Sequence, residues 1–231
     1  MLSKLQFGLV ITLVTLLAAA CQAGTRAEAG DLAQREINVV TTIGMITDIV
    51  ENVGGERVRV KGLMGPGVDP HLYKASEGDV IRLGSADLVF YSGLHLEAQM
   101  GRVLERMADT GVRTAAVTDD IERDLLLTPP EFEDNYDPHV WFDVTLWRKS
   151  VEQVRDTLID LDPEHAALYQ SNAESYLREL DKLHAYVQAQ AERVPADQRV
   201  LTELEGVHRA LISMHLEKTL KSDRVIRELR R

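Results

Sequence analysis

The chain has 231 residues, is 45% hydrophobic and 27% charged, and carries a formal net charge of −11 at pH 7. That length holds one large domain or two small ones, and the profile is globular rather than disordered. The negative balance argues against nucleic acid and anionic lipid as partners and is compatible with a protein that meets cations.

The first residues read as an export signal. Lys4 supplies a positive start, Phe7 to Leu17 is a short apolar run, and Ala18, Ala19 and Ala20 form a small-residue cleavage site, so residues 1–20 are assigned as a signal peptide. The run is shorter than the roughly 20 residues of a membrane-spanning helix. Cys21, the only cysteine, directly follows, as in a bacterial lipobox where it takes a lipid and becomes the mature N-terminus. Ala18 stands where such boxes usually carry leucine, so lipid attachment at Cys21 and plain cleavage near Ala20 or Ala23 both stay open. Either way the protein is exported, to the periplasm or the outer face of the cytoplasmic membrane, and one cysteine leaves no internal disulfide. Residues 21–35 are small and polar and read as a flexible tether.

From Ile37 the pattern becomes strand and helix in alternation. Ile37 to Thr42 is a β-branched strand, and Met45 to Val53 has helical apolar spacing closed by Gly54-Gly55. Val58 to Val60 starts a second strand, followed by the turn-rich loop Met64-Gly65-Pro66-Gly67-Val68-Asp69-Pro70-His71. Ser76 and Asp79 stand at capping-box spacing for a helix to about Ser85. Leu88 to Tyr91 is a strand, Glu97 to Ala108 a helix, and Arg113 to Val117 another strand. This order implies an α/β fold of parallel βαβ units, whose ligands bind at loops after the carboxyl ends of strands.

Thr118 to Tyr136 is an acidic, proline-bearing loop without histidine, most simply a solvated surface. It leads into Asp137-Pro138-His139-Val140-Trp141-Phe142-Asp143-Val144, whose first three residues repeat Asp69-Pro70-His71. Two histidines, each introduced by Asp-Pro, point to two metal ligands carried on two restricted loops. Thr145 to Leu161 is helical. Asp162-Pro163 then reads as N-cap and first residue of a longer helix that stops before Pro195. Arg199 to Thr202 starts a further apparent strand.

Three runs together resemble one family: Gly67 to Tyr73, Ala86 to Glu97, and Asp137 to Val144. They are similar to the zinc- and manganese-binding solute-binding lipoproteins of ABC transporters, in order and spacing over roughly residues 37–202. The resemblance implies two α/β lobes joined by one long helix, with the metal between them. It makes residues 36–161 the N-terminal metal-binding lobe and residues 162–195 the connecting helix. It makes His71 and His139 the ligands from this lobe, for Zn²⁺ or Mn²⁺ as transported ligand, and an ABC permease the partner. His95, Asp69 and Asp137 are expected as supporting residues around the metal, with both aspartates chiefly forming turns. Trp141, Phe142 and Tyr73 are expected to pack around the loops, and His165 and His184 are ordinary helix histidines.

The pattern departs from the family after Thr202. Residues 196–231 read as a divergent tail rich in arginine and lysine, with His208 and His215 in it, so most of a second lobe is expected to be missing, as after a frameshift or early stop. Four readings therefore compete. The first is an extracytoplasmic metal receptor whose only membrane tie is a lipid at Cys21. The second is a non-functional fragment of one, and the third an adhesin-type surface lipoprotein. The fourth, a zinc hydrolase, lacks support: there is no His-Glu-x-x-His motif, no nucleophile elbow, and no general base beside either Asp-Pro-His.

Overall fold

Four short runs rich in β-branched and apolar residues build the sheet. A computed structural model describes Leu32, residues 34–129 and residues 135–194. The signal peptide, Cys21, the strand expected at residues 199–202, His208 and His215 lie outside the described residues. Residues 1–36 and 37–231 group as separate units; in the first, the described residues include a turn in which Arg35 N–H donates to Leu32 C=O.

In the second unit the strands are β1 (Ile37–Thr41), β2 (Val58–Gly62), β3 (Leu88–Tyr91) and β4 (Arg113–Ala116), in spatial order β2-β1-β3-β4. All neighbours are parallel, with Val39 opposite Val60 on one side and Val40 opposite Val89 on the other. The helices between them are α1 (Gly44–Gly54), α2 (Glu77–Gly84) and α3 (Gly101–Asp109). Two longer helices follow, α4 (Val144–Leu161) and α5 (Ala166–Glu192). Parallel strands need crossovers, and right-handed crossovers with this strand order put α1 on one face and α2 and α3 on the other. The α/β expectation is met.

The core lies between the sheet and these helices. Ile37, Val39, Leu88, Val89 and Phe90 from the sheet are buried against Ile46, Ile49 and Val53 of α1 and Val151, Val154 and Leu158 of α4. Central parallel strands are covered on both faces, which is why β3 reads as the unbroken apolar run Leu-Val-Phe-Tyr. On α5 the buried residues are Tyr169, Ala173 and Leu180, all within its first four turns or so. Polar anchors dock that part: Asn172 Nδ2–H donates to Val53 C=O at 3.0 Å, and the Tyr176 hydroxyl to Asp48 Oδ2 at 2.5 Å. Arg148 of α4 donates to Leu177 C=O at 3.0 Å.

One local expectation needs correction and a second needs refinement. The helix expected over residues 97–108 is a 3-10 turn, Ala98–Met100, followed by α3 from Gly101. Residues Gly93, Leu94 and His95 all have positive φ (87°, 50° and 64°), so the chain enters this segment from a tight left-handed loop rather than from a helix cap. Asp162 stands at the N-cap with Pro163 first in a 3-10 turn that leads into α5, as expected, but its side chain makes no cap bond. Its carboxylate turns inward, accepting from Arg57 Nε and an Arg57 terminal nitrogen at 3.2 and 2.9 Å, from the Tyr169 hydroxyl at 2.7 Å, and from His165 Nδ1 at 3.0 Å. No helix of the described residues is long and apolar enough to cross a membrane.

Candidate metal centre

Each Asp-Pro-His forms the same small turn. Asp69 Oδ1 accepts the His71 backbone N–H at 2.9 Å, and Asp137 Oδ1 accepts the His139 N–H at 3.0 Å. An aspartate accepting from the amide two residues on is an Asx turn, and the intervening proline, with fixed φ and no donor, stiffens it. The His71 loop is held at both ends. Leu63 and Met64 amides donate to the carbonyls of Thr41 and Thr42 at the end of β1, at 2.9 and 3.0 Å. Beyond His71, the Tyr73 hydroxyl donates to Asp79 Oδ2 at 2.7 Å, and Ser76 and Asp79 close a reciprocal capping box on α2. Burial alone would raise the Asp79 carboxyl; donors from Ser76 and Tyr73, with Arg82 nearby, hold it below its ordinary value instead. The second loop is tied where the Asp137 amide donates to Leu127 C=O at 2.8 Å, and the 3-10 turn Val140–Phe142 and Asp143 then cap α4.

These two loops, 68 residues apart in sequence, bring His71 Nε2 and His139 Nε2 to 3.2 Å from each other. Nitrogens bound to a tetrahedral zinc at about 2.0–2.1 Å stand roughly 3.3–3.4 Å apart, so the pair already spans one edge of such a site. Protonation follows from the partners. His139 Nδ1 lies 2.6 Å from Asp137 Oδ1, and an ionised carboxylate only accepts, so Nδ1 carries the hydrogen. That leaves the His139 Nε2 lone pair facing His71, as a metal ligand needs, and makes His71 Nε2 the donor between the rings. For both Nε2 atoms to bind a cation, the His71 hydrogen would have to move to its own Nδ1, freeing the second lone pair. Carboxylate, histidine and metal in line is the usual arrangement that fixes ring orientation and raises ligand basicity.

An aromatic wall backs the pair. Trp141 meets His139 edge-on with centroids 5.2 Å apart, and Phe142 lies 5.9 Å from the same ring. Tyr73 packs against the core beside the first loop. The flanks are apolar and open: Leu72, next to His71, is 70% exposed, and Leu127, bonded to Asp137, is 67% exposed.

Asp69 and Asp137, which sequence reasoning paired, are not equivalent. Asp69 bonds the backbone of its histidine, whereas Asp137 bonds both backbone and ring. Sequence spacing carries no signal for that difference. His95 is not part of the arrangement. It is exposed, lines a separate cavity with Tyr91, Glu105 and Asp119 at the ends of β3 and β4, and among the described residues makes no hydrogen bond to either imidazole. The left-handed loop at Gly93–His95 turns it aside. No cluster of three or more His, Cys, Asp or Glu among the described residues is placed to hold a metal. The described residues thus bring two nitrogen donors and no third protein ligand.

Comparisons with known proteins agree with this architecture. A family profile described as "Zinc-uptake complex component A periplasmic" matches residues 39–209. Zinc-binding protein TroA of Treponema pallidum is 48% identical over 163 residues, covering 71% of this chain and 52% of its own. Manganese-binding lipoprotein MntA of Bacillus subtilis is 41% identical over 173 residues, covering 75% of this chain and 56% of its own. The chain therefore spans about half the length of these curated relatives. The solved structure of the periplasmic zinc-binding protein TroA from Treponema pallidum superposes with a TM-score of 0.68 at 46% identity, over 71% of this chain and 58% of that one. Sheet, site geometry and these matches together place the chain in the family of periplasmic component A proteins of zinc-uptake complexes.

Proposed function

We propose that the chain is an extracytoplasmic metal-binding component of an ABC uptake system. His71 and His139 are its metal ligands, Asp137 orients His139, and Asp69 shapes the first turn. One observation carries this reading: the two Nε2 atoms 3.2 Å apart, one with its lone pair set by a carboxylate on the other side of the ring. The cargo is Zn²⁺ or Mn²⁺, the metals in the names of the relatives. A donor set of two imidazoles favours zinc, since divalent affinities rise from manganese towards zinc and imidazole suits zinc. The protein is not an enzyme on this reading. Among the described residues, nothing beside either histidine is placed as a general base except Asp137, which is already committed to Nδ1. Its partner is the membrane permease of the transporter, met on the outer side of the cytoplasmic membrane, with Cys21 as the point of lipid attachment. The remaining coordination positions are left to water or to ligands beyond the described residues.

Calorimetric titration of the purified chain with Zn²⁺ and Mn²⁺ tests the assignment. One zinc per chain, bound more tightly than manganese and lost in the His71→Ala, His139→Ala double variant, is expected. Equal heats from wild type and double variant would remove the site from these residues.

A further inference from the structure

The run Ala86 to Glu97 carries part of the family likeness, yet the metal pair uses none of it. Glu97 is the unusual member: its carboxylate is only 4% exposed. Its partners are neutral. Oε1 accepts from the Thr42 hydroxyl at 2.6 Å and the Ser92 amide at 2.7 Å, and Oε2 accepts from the Gly93 amide at 3.3 Å. An anion this deep is tolerated only when its lone pairs are filled. Burial pushes its carboxyl above the ordinary glutamate pKa, and the donors from Thr42, Ser92 and Gly93 offset only part of that rise.

The place matters as much as the bonds. The chain leaves β1 for β2 on one side and returns to β3 on the other, so the carboxyl ends of β1 and β3 flank a topological switch point. Thr42 follows β1 and Ser92 follows β3, so Glu97 ties the two ends together. The packing there admits little slack. The Thr118 hydroxyl donates to Ser92 C=O at 2.7 Å, and a Cβ on Gly93 would stand 2.7 Å from Thr118 Oγ1. Leu94 and His95 keep left-handed backbone, which persists only where surroundings over-determine it.

Thr42 has a second attachment. Its carbonyl accepts the amide of Met64, the buried residue that opens the His71 loop, at 3.0 Å. We propose that Glu97 is a positioning residue for the metal site: it locks Thr42 at the switch point, and Thr42 fixes the root of the His71 loop. The affinity part of this proposal rests on the metal reading above; the loop part stands without it.

Amide hydrogen exchange at Leu63 and Met64, together with zinc titration, separates the two on Glu97→Ala, Glu97→Gln and Thr42→Val. In Thr42→Val the Met64 amide should exchange about tenfold faster and zinc affinity fall about tenfold, the effect of one lost hydrogen bond of ordinary strength. Glu97→Ala should do at least as much. Glu97→Gln keeps an acceptor oxygen for Thr42 and Ser92 and should recover most of both. Thr42→Val removes the hydroxyl that reaches Glu97 and leaves the side chain's size and branching unchanged. If that variant exchanges Met64 and binds zinc like wild type, or if Glu97→Ala lowers only the melting temperature, the positioning role is wrong. A wild-type chain that binds no zinc would sink the metal reading, while Met64 exchange would still decide the lock.

Discussion

Replacing His139 with alanine is expected to take zinc binding down to background, and Asp137→Ala to weaken it by about 10–100-fold, the usual cost of losing the group behind a ligating imidazole. The order follows from the geometry. His139 is one of two imidazole donors that the described residues bring together, so its loss leaves a single one there. Asp137 touches no metal, but it holds Nδ1 at 2.6 Å and the backbone amide of the same residue at 3.0 Å. Without it the ring turns freely and its two tautomers compete. Asp69→Ala supplies the control, because the Asp69 side chain bonds the His71 amide rather than its ring. Its effect should be smaller than that of Asp137→Ala in the same titration. Equal losses at the two aspartates would mean that turn geometry, not ring orientation, sets affinity.

The second large effect concerns stability and lies far from the histidines. Asp162→Ala should cost about 3–5 kcal/mol, the range for breaking a buried ion pair on one side. The Asp162 side chain is 2% exposed and that of Arg57 16%, so removing the carboxylate strands a largely buried guanidinium. It also strands the hydroxyl of Tyr169, which is fully buried. Chemical denaturation of wild type and variant at neutral pH measures the difference, and a loss below about 1 kcal/mol, the scale of an exposed pair, would contradict it. The acid limb gives an independent sign. Burial would raise the Asp162 carboxyl, but His165, Tyr169 and Arg57 hold it below the usual carboxylate value. A depressed folded value means stability fully present above the unfolded value of about 3.9 and lost as pH falls through the folded one. The variant should therefore show a flatter decline below about pH 4 than wild type.

Much of this was legible in the residues, for physical reasons that differ by element. β3 reads correctly because a strand buried on both faces is an uninterrupted apolar run bounded by Ala86-Asp87 and Ser92-Gly93. The α2 start reads correctly because the capping box is a local device, four residues long, that needs no tertiary partner. Asp162 holds the N-cap position that Asp-Pro before a helical pattern signals, but its side chain does not make the cap bond such a signature suggests. Here a partner 105 residues away, Arg57, outbids the backbone for the carboxylate. Glu97 did mislead, also through a distant partner. It looked like the first residue of a helix, but Thr42, 55 residues earlier, draws it inward and postpones the helix to Gly101.

At the metal centre, the repeated Asp-Pro-His pointed to a pair of histidines before any coordinates. It did not show that their nitrogens meet at 3.2 Å, nor that only one aspartate reaches its ring, because side-chain direction depends on the loops' tertiary ties. His95, expected as a supporting residue, lines a separate cavity. It stands a few residues after a strand end, where α/β ligands gather, but three left-handed residues turn it into another cavity.

The proposed function rests on one cation held by His71 and His139 through their Nε2 atoms. A crystal structure of the zinc-loaded chain, with anomalous data collected at the zinc edge, tests it most directly. A single strong peak about 2.0–2.1 Å from both Nε2 atoms is expected, with the His139 Nδ1 to Asp137 contact retained. A peak at other residues, with the two imidazoles still sharing their hydrogen, would contradict it.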